Sequence, residues 1–162
     1  MRQGVTQASV HRLLAFIAAV LLAACEPGGA GGPRSEVPML WHAGAEQPMA
    51  EAQWALVNYW AVWCKPCVKE IPELNALAAA EPTLQVVGIN YDQPAKAELI
   101  RQSEKLGIEF ALLVSHPGSL ALPRPTVLPT SYILNAKGER VATLTGPQTK
   151  ASLQAALVKL GF

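Results

Sequence analysis

Val57-Asn58-Tyr59-Trp60-Ala61-Val62-Trp63-Cys64-Lys65-Pro66-Cys67-Val68-Lys69-Glu70-Ile71-Pro72-Glu73-Leu74 changes its hydrophobic period at a pair of cysteines. Up to Trp60 the run is dense in strand-favouring residues, and Ala55 to Trp60 reads as a central strand. From Lys65 to about Ala80 the residues are good helix formers, and Val68, Ile71, Leu74 and Leu77 recur every third position, which predicts one inward stripe. Pro72 inside this helix is expected to kink it, because it removes an amide donor and crowds the preceding turn. Cys64 and Cys67 therefore fall at a strand-to-helix junction, at the start of the helix.

Working outward, Leu84 to Ile89 reads as a second buried strand and Ala95 to Leu106 as a helix with Leu99, Ile100 and Leu106 inward. Strand, helix, strand, helix implies a parallel βαβ unit. Phe110 to Val114 is a short extended run, followed by a Pro-rich irregular connection from His116 to Pro129. Ser131 to Leu134 and Arg140 to Leu144 flank Asn135-Ala136-Lys137-Gly138, whose turn chemistry predicts an antiparallel hairpin. A last helix is expected from Thr149, with Leu153, Ala156, Leu157 and Leu160 on one stripe. There is no internal repeat.

The 162 residues suffice for one domain and a short appendage. Net charge is near zero, with Lys and Arg scattered, so the basic stripe that a nucleic-acid partner requires is missing. Residues 1–24 read as an export signal: Arg2 and Arg12 form a positive start, and Leu13 to Leu22 is an uncharged, mostly aliphatic run. A bilayer core of about 30 Å needs about 20 helical residues, twice that run, so cleavage is expected rather than a span. Residues 26–38 carry four glycines and three prolines and read as a tether. Random-coil scaling gives such a tether a reach of about 20 Å. The domain proper is placed at 39–162.

Leu22-Ala23-Ala24-Cys25 resembles the lipobox of bacterial lipoproteins; the alternative is a plain signal peptide that leaves Cys25 as a free thiol. The resemblance implies that Cys25 is lipidated, that residues 25–38 tether the domain to a membrane, and that Cys64 and Cys67 pair with each other. Glu26 is not the aspartate that signals inner-membrane retention in many enterobacterial lipoproteins, so the resemblance favours the outer membrane. Without residues 1–24 the chain holds 11 basic and 12 acidic residues.

A thiolate is the nucleophile in disulfide exchange, so the surroundings of each sulfur decide its reactivity. Free amides and the positive dipole end at a helix N-terminus favour an anion. A thiol of ordinary pKa is about 3% ionised at pH 7, and one lowered to about 7 is half ionised, roughly a fifteenfold gain in attacking species. Cys64, at the cap, is expected to be the exposed attacking thiol. Cys67, one turn on, is placed to resolve the mixed disulfide. Pro66 stiffens the first turn, where its missing amide hydrogen costs little, and Lys65 favours the thiolate if its ammonium lies close.

The whole stretch from Val57 to Leu74 resembles the membrane-tethered thioredoxin-like thiol-disulfide oxidoreductases of the TlpA/ResA/CcmG type. Val87-Gly88-Ile89-Asn90-Tyr91 is similar to that family's second core strand, and Leu128-Pro129-Thr130-Ser131-Tyr132-Ile133-Leu134 to its cis-proline loop and following strand. The resemblance covers roughly Val37 to the C-terminus and implies an α/β thioredoxin fold, a mixed central sheet flanked by helices. It implies a cis Pro129 facing the cysteines, Leu128 presenting backbone to a substrate peptide, Trp63 flanking the active thiol, and a proton-handling role for Glu70. The competing reading of Glu70 is a solvated carboxylate. Asn58 stands where ordinary thioredoxins carry a buried aspartate, which favours the tethered subfamily. The segment before Ala55 is shorter than the family's usual N-terminal hairpin, and Pro123-Arg124-Pro125 departs from its pattern.

The same resemblance implies a periplasmic, lipid-anchored reductase of disulfides in exported proteins, for example apocytochrome c or copper-site proteins. It implies re-reduction by a membrane thiol-electron donor of the DsbD/CcdA kind, with no cofactor beyond the Cys64-Cys67 couple. The alternative is a non-catalytic thioredoxin-fold binding or metal-delivery module. Zinc and iron-sulfur sites need about four ligands and no second cysteine pair exists, so no metal site is expected. Haem attachment needs a histidine where Val68 stands. His42 and His116 read as surface or loop residues, a peroxiredoxin would carry Thr at Ala61, and a structural staple closing so short a loop contributes only about 2 kcal/mol.

Overall fold

The computed structural model describes residues 37–51 and 53–162. The expected signal, Cys25 and most of the expected tether lie outside the described residues. Among the described residues the strands are β1 (Met39–His42), β2 (Ala45–Pro48), β3 (Trp54–Trp60), β4 (Leu84–Asn90), β5 (Ala111–Leu113), β6 (Thr130–Leu134) and β7 (Arg140–Thr145). The helices are α1 (Lys65–Ala80), α2 (Lys96–Leu106) and α3 (Lys150–Leu160). The strands form one mixed sheet in the order β2-β1-β5-β4-β3-β6-β7.

β3 and β4 are parallel, as are β4 and β5, while β6 runs antiparallel to β3 on its other side. The chain thus leaves β3 in one direction across the sheet and returns on the opposite flank. In open α/β sheets such a reversal leaves a crevice at the carboxyl end of the strand where it happens. That end of β3 carries the cysteines.

Both faces of β3 are buried, as its continuous apolar run requires. Leu56, Val86 and Ile133 face Ile71, Leu74 and Leu77 of α1 and Leu153 and Leu157 of α3. On the other face Val57, Tyr59, Ile89 and Tyr132 pack with Leu40 of β1 and with Leu120 and Leu122. Val68, expected on the inward stripe, is only half-buried; Cys67 and Glu70 take inward positions on α1 instead. Helix α1 continues unbroken through Pro72, which lies on its exposed side.

Two close fits shape the core. A Cβ at Gly88 would lie 2.8 Å from Phe110 Cε2 and 2.9 Å from Trp60 Nε1, so only glycine lets the Trp60 indole pass over β4. The short N-terminal segment still forms a hairpin: β1 and β2 join through Ala43 and Gly44, both at positive φ (50° and 85°), and β1 pairs with β5. The hairpin between β6 and β7 is antiparallel as expected, its turn held by Asn135 Oδ1 accepting from the amides of Lys137 and Glu139. Thr149 caps α3 reciprocally with Ser152.

Candidate functional site: a disulfide at the carboxyl end of β3

Cys64 is the N-cap of α1, with extended backbone (φ −83°, ψ 92°). Its Sγ accepts a hydrogen bond from the Cys67 amide at 3.3 Å, so the sulfur takes one of the donors that a helix start leaves free. Cys64 and Cys67 are joined by a disulfide with Cα atoms 5.3 Å apart. Pro66 sits within the first turn, where no amide hydrogen is needed.

The expectation of an exposed Cys64 is corrected. In this oxidised form Cys64 is 5% exposed and Cys67 2%, both inside a cluster with Trp60, Ala61, Leu99 and Leu112. The cause is the bond itself: Sγ turns back over the first helical turn towards Cys67 rather than out to solvent. The difference between the two sulfurs is one of access. Cys64, with Trp63, Lys65, Tyr91 and Leu128, lines an open cleft of about 460 Å³, and Cys67 is not among the residues lining it.

Behind the disulfide stands a buried polar group. Glu70 is 2% exposed, so the solvated reading of this residue is overturned. Its Oε1 accepts from the Gln148 amide at 2.9 Å and its Oε2 from Asn58 Nδ2 at 3.2 Å; the same Asn58 nitrogen donates to Ser131 Oγ at 3.0 Å. Burial raises the carboxyl pKa to about 7, against the lowering effect of the two donors. Three residues after Cys67, Glu70 lies on the same side of α1, and near neutral pH it is poised between its two protonation states.

In front of the disulfide stand Trp63 and Arg124, both exposed. Trp63 is 61% exposed; its indole Nε1 donates to Asp92 Oδ2 at 2.8 Å, and its ring stands edge-on to Tyr91 at 6.3 Å. The Arg124 guanidinium lies 3.9 Å from the centre of the Tyr91 ring and donates to the Tyr91 carbonyl. The Leu128-Pro129 bond is cis. Continuing the β3–β6 pairing of Tyr59 with Thr130 brings Pro129 and Leu128 level with Trp60 and Ala61. Pro129 is buried and its carbonyl accepts from the Gly146 amide, whereas Leu128 is half-buried at the cleft wall. Lys65 is exposed at the cleft edge.

The fold therefore brings Cys64, Cys67, Trp63, Lys65, Pro66 and Leu128 to one place, with Glu70 behind on the same helix and Pro129 next to Leu128, level with Trp60. Sequence reasoning missed Gln148, Ser131, Tyr91, Asp92 and Arg124. Tyr91 and Ser131 fell inside stretches quoted for the resemblance and Arg124 inside the unusual Pro123-Arg124-Pro125, but none was assigned a part in the site. Among the described residues no group of three or more His, Cys, Asp or Glu is arranged to hold a metal ion. His42 and His116 are exposed and engaged with backbone groups.

Comparison with known proteins agrees with this geometry. The AhpC/TSA family profile matches residues 45–139. Thiol-disulfide oxidoreductase ResA of Geobacillus kaustophilus is 27% identical over 101 residues, covering 60% of this chain and 58% of that protein. Sporulation thiol-disulfide oxidoreductase A of Bacillus subtilis is 28% identical over 112 residues, covering 64% and 66%. The match to the ResA relatives spans about three fifths of their length. The crystal structure of StoA from Bacillus subtilis superposes with a TM-score of 0.58 at 25% identity, covering 74% of this chain and 96% of that one. The α/β thioredoxin fold expected from the sequence is thereby borne out, and so is the likeness to ResA-type proteins.

Proposed function

The chain belongs to the AhpC/TSA family, and from that premise we propose that it is a thiol-disulfide oxidoreductase that reduces disulfides in exported proteins. The observation that carries this is the Cys64–Cys67 disulfide, seated on the first turn of α1 with only Cys64 lining the cleft. In the reduced enzyme the Cys64 thiolate, favoured by the free amides of the helix start, attacks one sulfur of the substrate disulfide. The other substrate sulfur leaves as a thiolate. Cys67 then attacks Cys64 Sγ, the second substrate sulfur leaves, and two electrons have passed from the enzyme pair to the substrate.

Attack by Cys67 requires loss of its proton in a buried setting. Glu70, with its pKa raised to about 7 by burial, is the group suited to accept that proton. Trp63 and Leu128 form the contact surface for the substrate, and Leu128, beside the cis bond, offers its backbone to a peptide. No cofactor is needed beyond the two thiols. The names of the ResA and sporulation relatives support the reaction class.

The setting belongs to the same proposal. Residues 1–24 act as a signal, Cys25 is lipidated, and residues 25–38 tether the domain at 39–162 to the periplasmic side of a bacterial membrane, with Glu26 favouring the outer one. Apocytochrome c or copper-site proteins fit as substrates, and a DsbD/CcdA-type donor fits as the source of electrons. Turnover tests the reaction: the reduced chain should reduce insulin disulfides, and failure to do so contradicts the proposal. Intact mass after detergent extraction tests the anchor, and an unmodified Cys25 contradicts it.

A further inference from the structure

Beside the disulfide, residues of α1 and α2 line an open groove of about 650 Å³. Its apolar floor is Val62, 43% exposed, with half-buried Val68 and Leu106. Its walls are cationic: Lys65 and Lys69 from α1, Arg101 and Lys105 from α2. Glu98 is the one acidic residue among those lining it, and it is already engaged, accepting from Arg101 Nε at 2.8 Å, from Arg101 Nη2 at 2.6 Å and from Gln102 Nε2 at 2.6 Å. Among the described residues Lys65, Lys69 and Lys105 make no ion pair.

Local stability does not favour this arrangement. Lys65 stands in the first turn of α1, where the dipole disfavours a cation and where no acidic residue offsets it. Lys65 with Lys69, and Arg101 with Lys105, are like-charge pairs four apart, an unfavourable spacing on a helix face. Residues 37–162 hold ten basic and ten acidic side chains, yet four of the ten basic ones line this groove. Lys65 also lines the cleft at Cys64, so the groove and the cleft adjoin at that residue.

We propose that this groove docks an acidic segment of the disulfide-bearing protein, apolar on one side, while its disulfide meets Cys64. This rests on the exchange reaction proposed above and adds the substrate class: proteins whose exchanging cysteines lie beside a run of Asp or Glu. Complementary charge acts chiefly on encounter, raising association about 10-fold or more at low salt and fading as salt is added.

The test compares two synthetic peptides with the same disulfide loop, one flanked by four glutamates and the other by four glutamines, reacting with the reduced full chain. The acidic peptide should react about tenfold faster at low ionic strength, and the two rates should converge in 1 M salt. Lys69→Gln with Lys105→Gln should remove most of that preference and leave the glutamine peptide's rate unchanged. Equal rates for the two peptides, or a preference that survives the double substitution, overturn the docking proposal while the exchange reaction stands. Reduction of neither peptide overturns the exchange reaction and this inference with it. Vesicles of phosphatidylcholine with phosphatidylglycerol provide a second arm: parent and double variant should bind them equally, and weaker binding by the variant assigns the patch to lipid headgroups and overturns the proposal.

Discussion

Behind the disulfide, Glu70 is 2% exposed and both of its oxygens accept hydrogen bonds, from Asn58 and from the Gln148 amide. In front of it, Trp63 is 61% exposed and its indole nitrogen is held by Asp92 alone. The back is a polar network closed inside the fold, where low dielectric magnifies every charge and proton. The front is a set of surface contacts that solvent screens. In the proposed exchange reaction the back would govern how the sulfurs react and the front what reaches them, so substitutions on the two sides should have different signatures.

The largest effect is expected where the two sides meet. Cys64→Ser should lower insulin reduction by more than about a thousandfold, since it removes the proposed nucleophile. Thermal or urea unfolding of this variant, compared with the reduced parent, should show little change. A variant that keeps measurable turnover breaks the division at its root.

Next comes the packing that supports the back. Gly88→Ala forces a methyl against Phe110 and the Trp60 indole, and overpacking of this kind costs about 1–3 kcal/mol, read as a lower urea midpoint. An unchanged midpoint would show that Trp60 moves freely beneath the cysteines.

Glu70→Gln sharpens the comparison through pH. With its folded pKa raised from 4.5 to about 7, Glu70 contributes stability that is present below about pH 4.5 and is lost as pH rises through 7. The parent should therefore lose stability relative to Glu70→Gln over that window, by up to about 3 kcal/mol. The rate inflection near pH 7 should vanish in the variant. If both proteins show the same pH profiles, the buried carboxyl does not titrate and its proton role falls.

The front should respond least. Asp92→Ala frees the Trp63 indole at an exposed site, so stability should change by no more than about 0.5 kcal/mol. A severalfold rise in KM with kcat nearly unchanged would mark uniform loss of substrate binding. A fall in kcat instead would move Trp63 from contact surface to chemistry.

The same contrast explains what could be read from the chain. β3, α1, β4, α2 and the β6–β7 hairpin were legible because each carries its own period or turn chemistry within a few residues. Cys64 and Cys67 were legible because their spacing is local, and Pro129 through the resemblance of its surrounding loop. The environment of Glu70 was not legible: its partners Asn58 and Gln148 come from β3 and the residues before α3, Ser131 of β6 accepts from the same Asn58 nitrogen, and only tertiary folding brings them together. Arg124 on the Tyr91 ring is a contact between residues 33 apart in sequence, with no periodic signal to announce it. The exposure of Cys64 was misjudged because a cap position predicts direction for a free thiol, not for a sulfur drawn back into a disulfide.

The most direct measurement is the intact mass of Cys67→Ser after incubation with a disulfide-bearing peptide under non-reducing conditions. A single peptide adduct on Cys64, stable because the resolving thiol is gone and released by added dithiothreitol, is the predicted result. Absence of the adduct while Cys64 still reacts with a small alkylating reagent would contradict the assignment of Cys64 and Cys67 as attacking and resolving thiols.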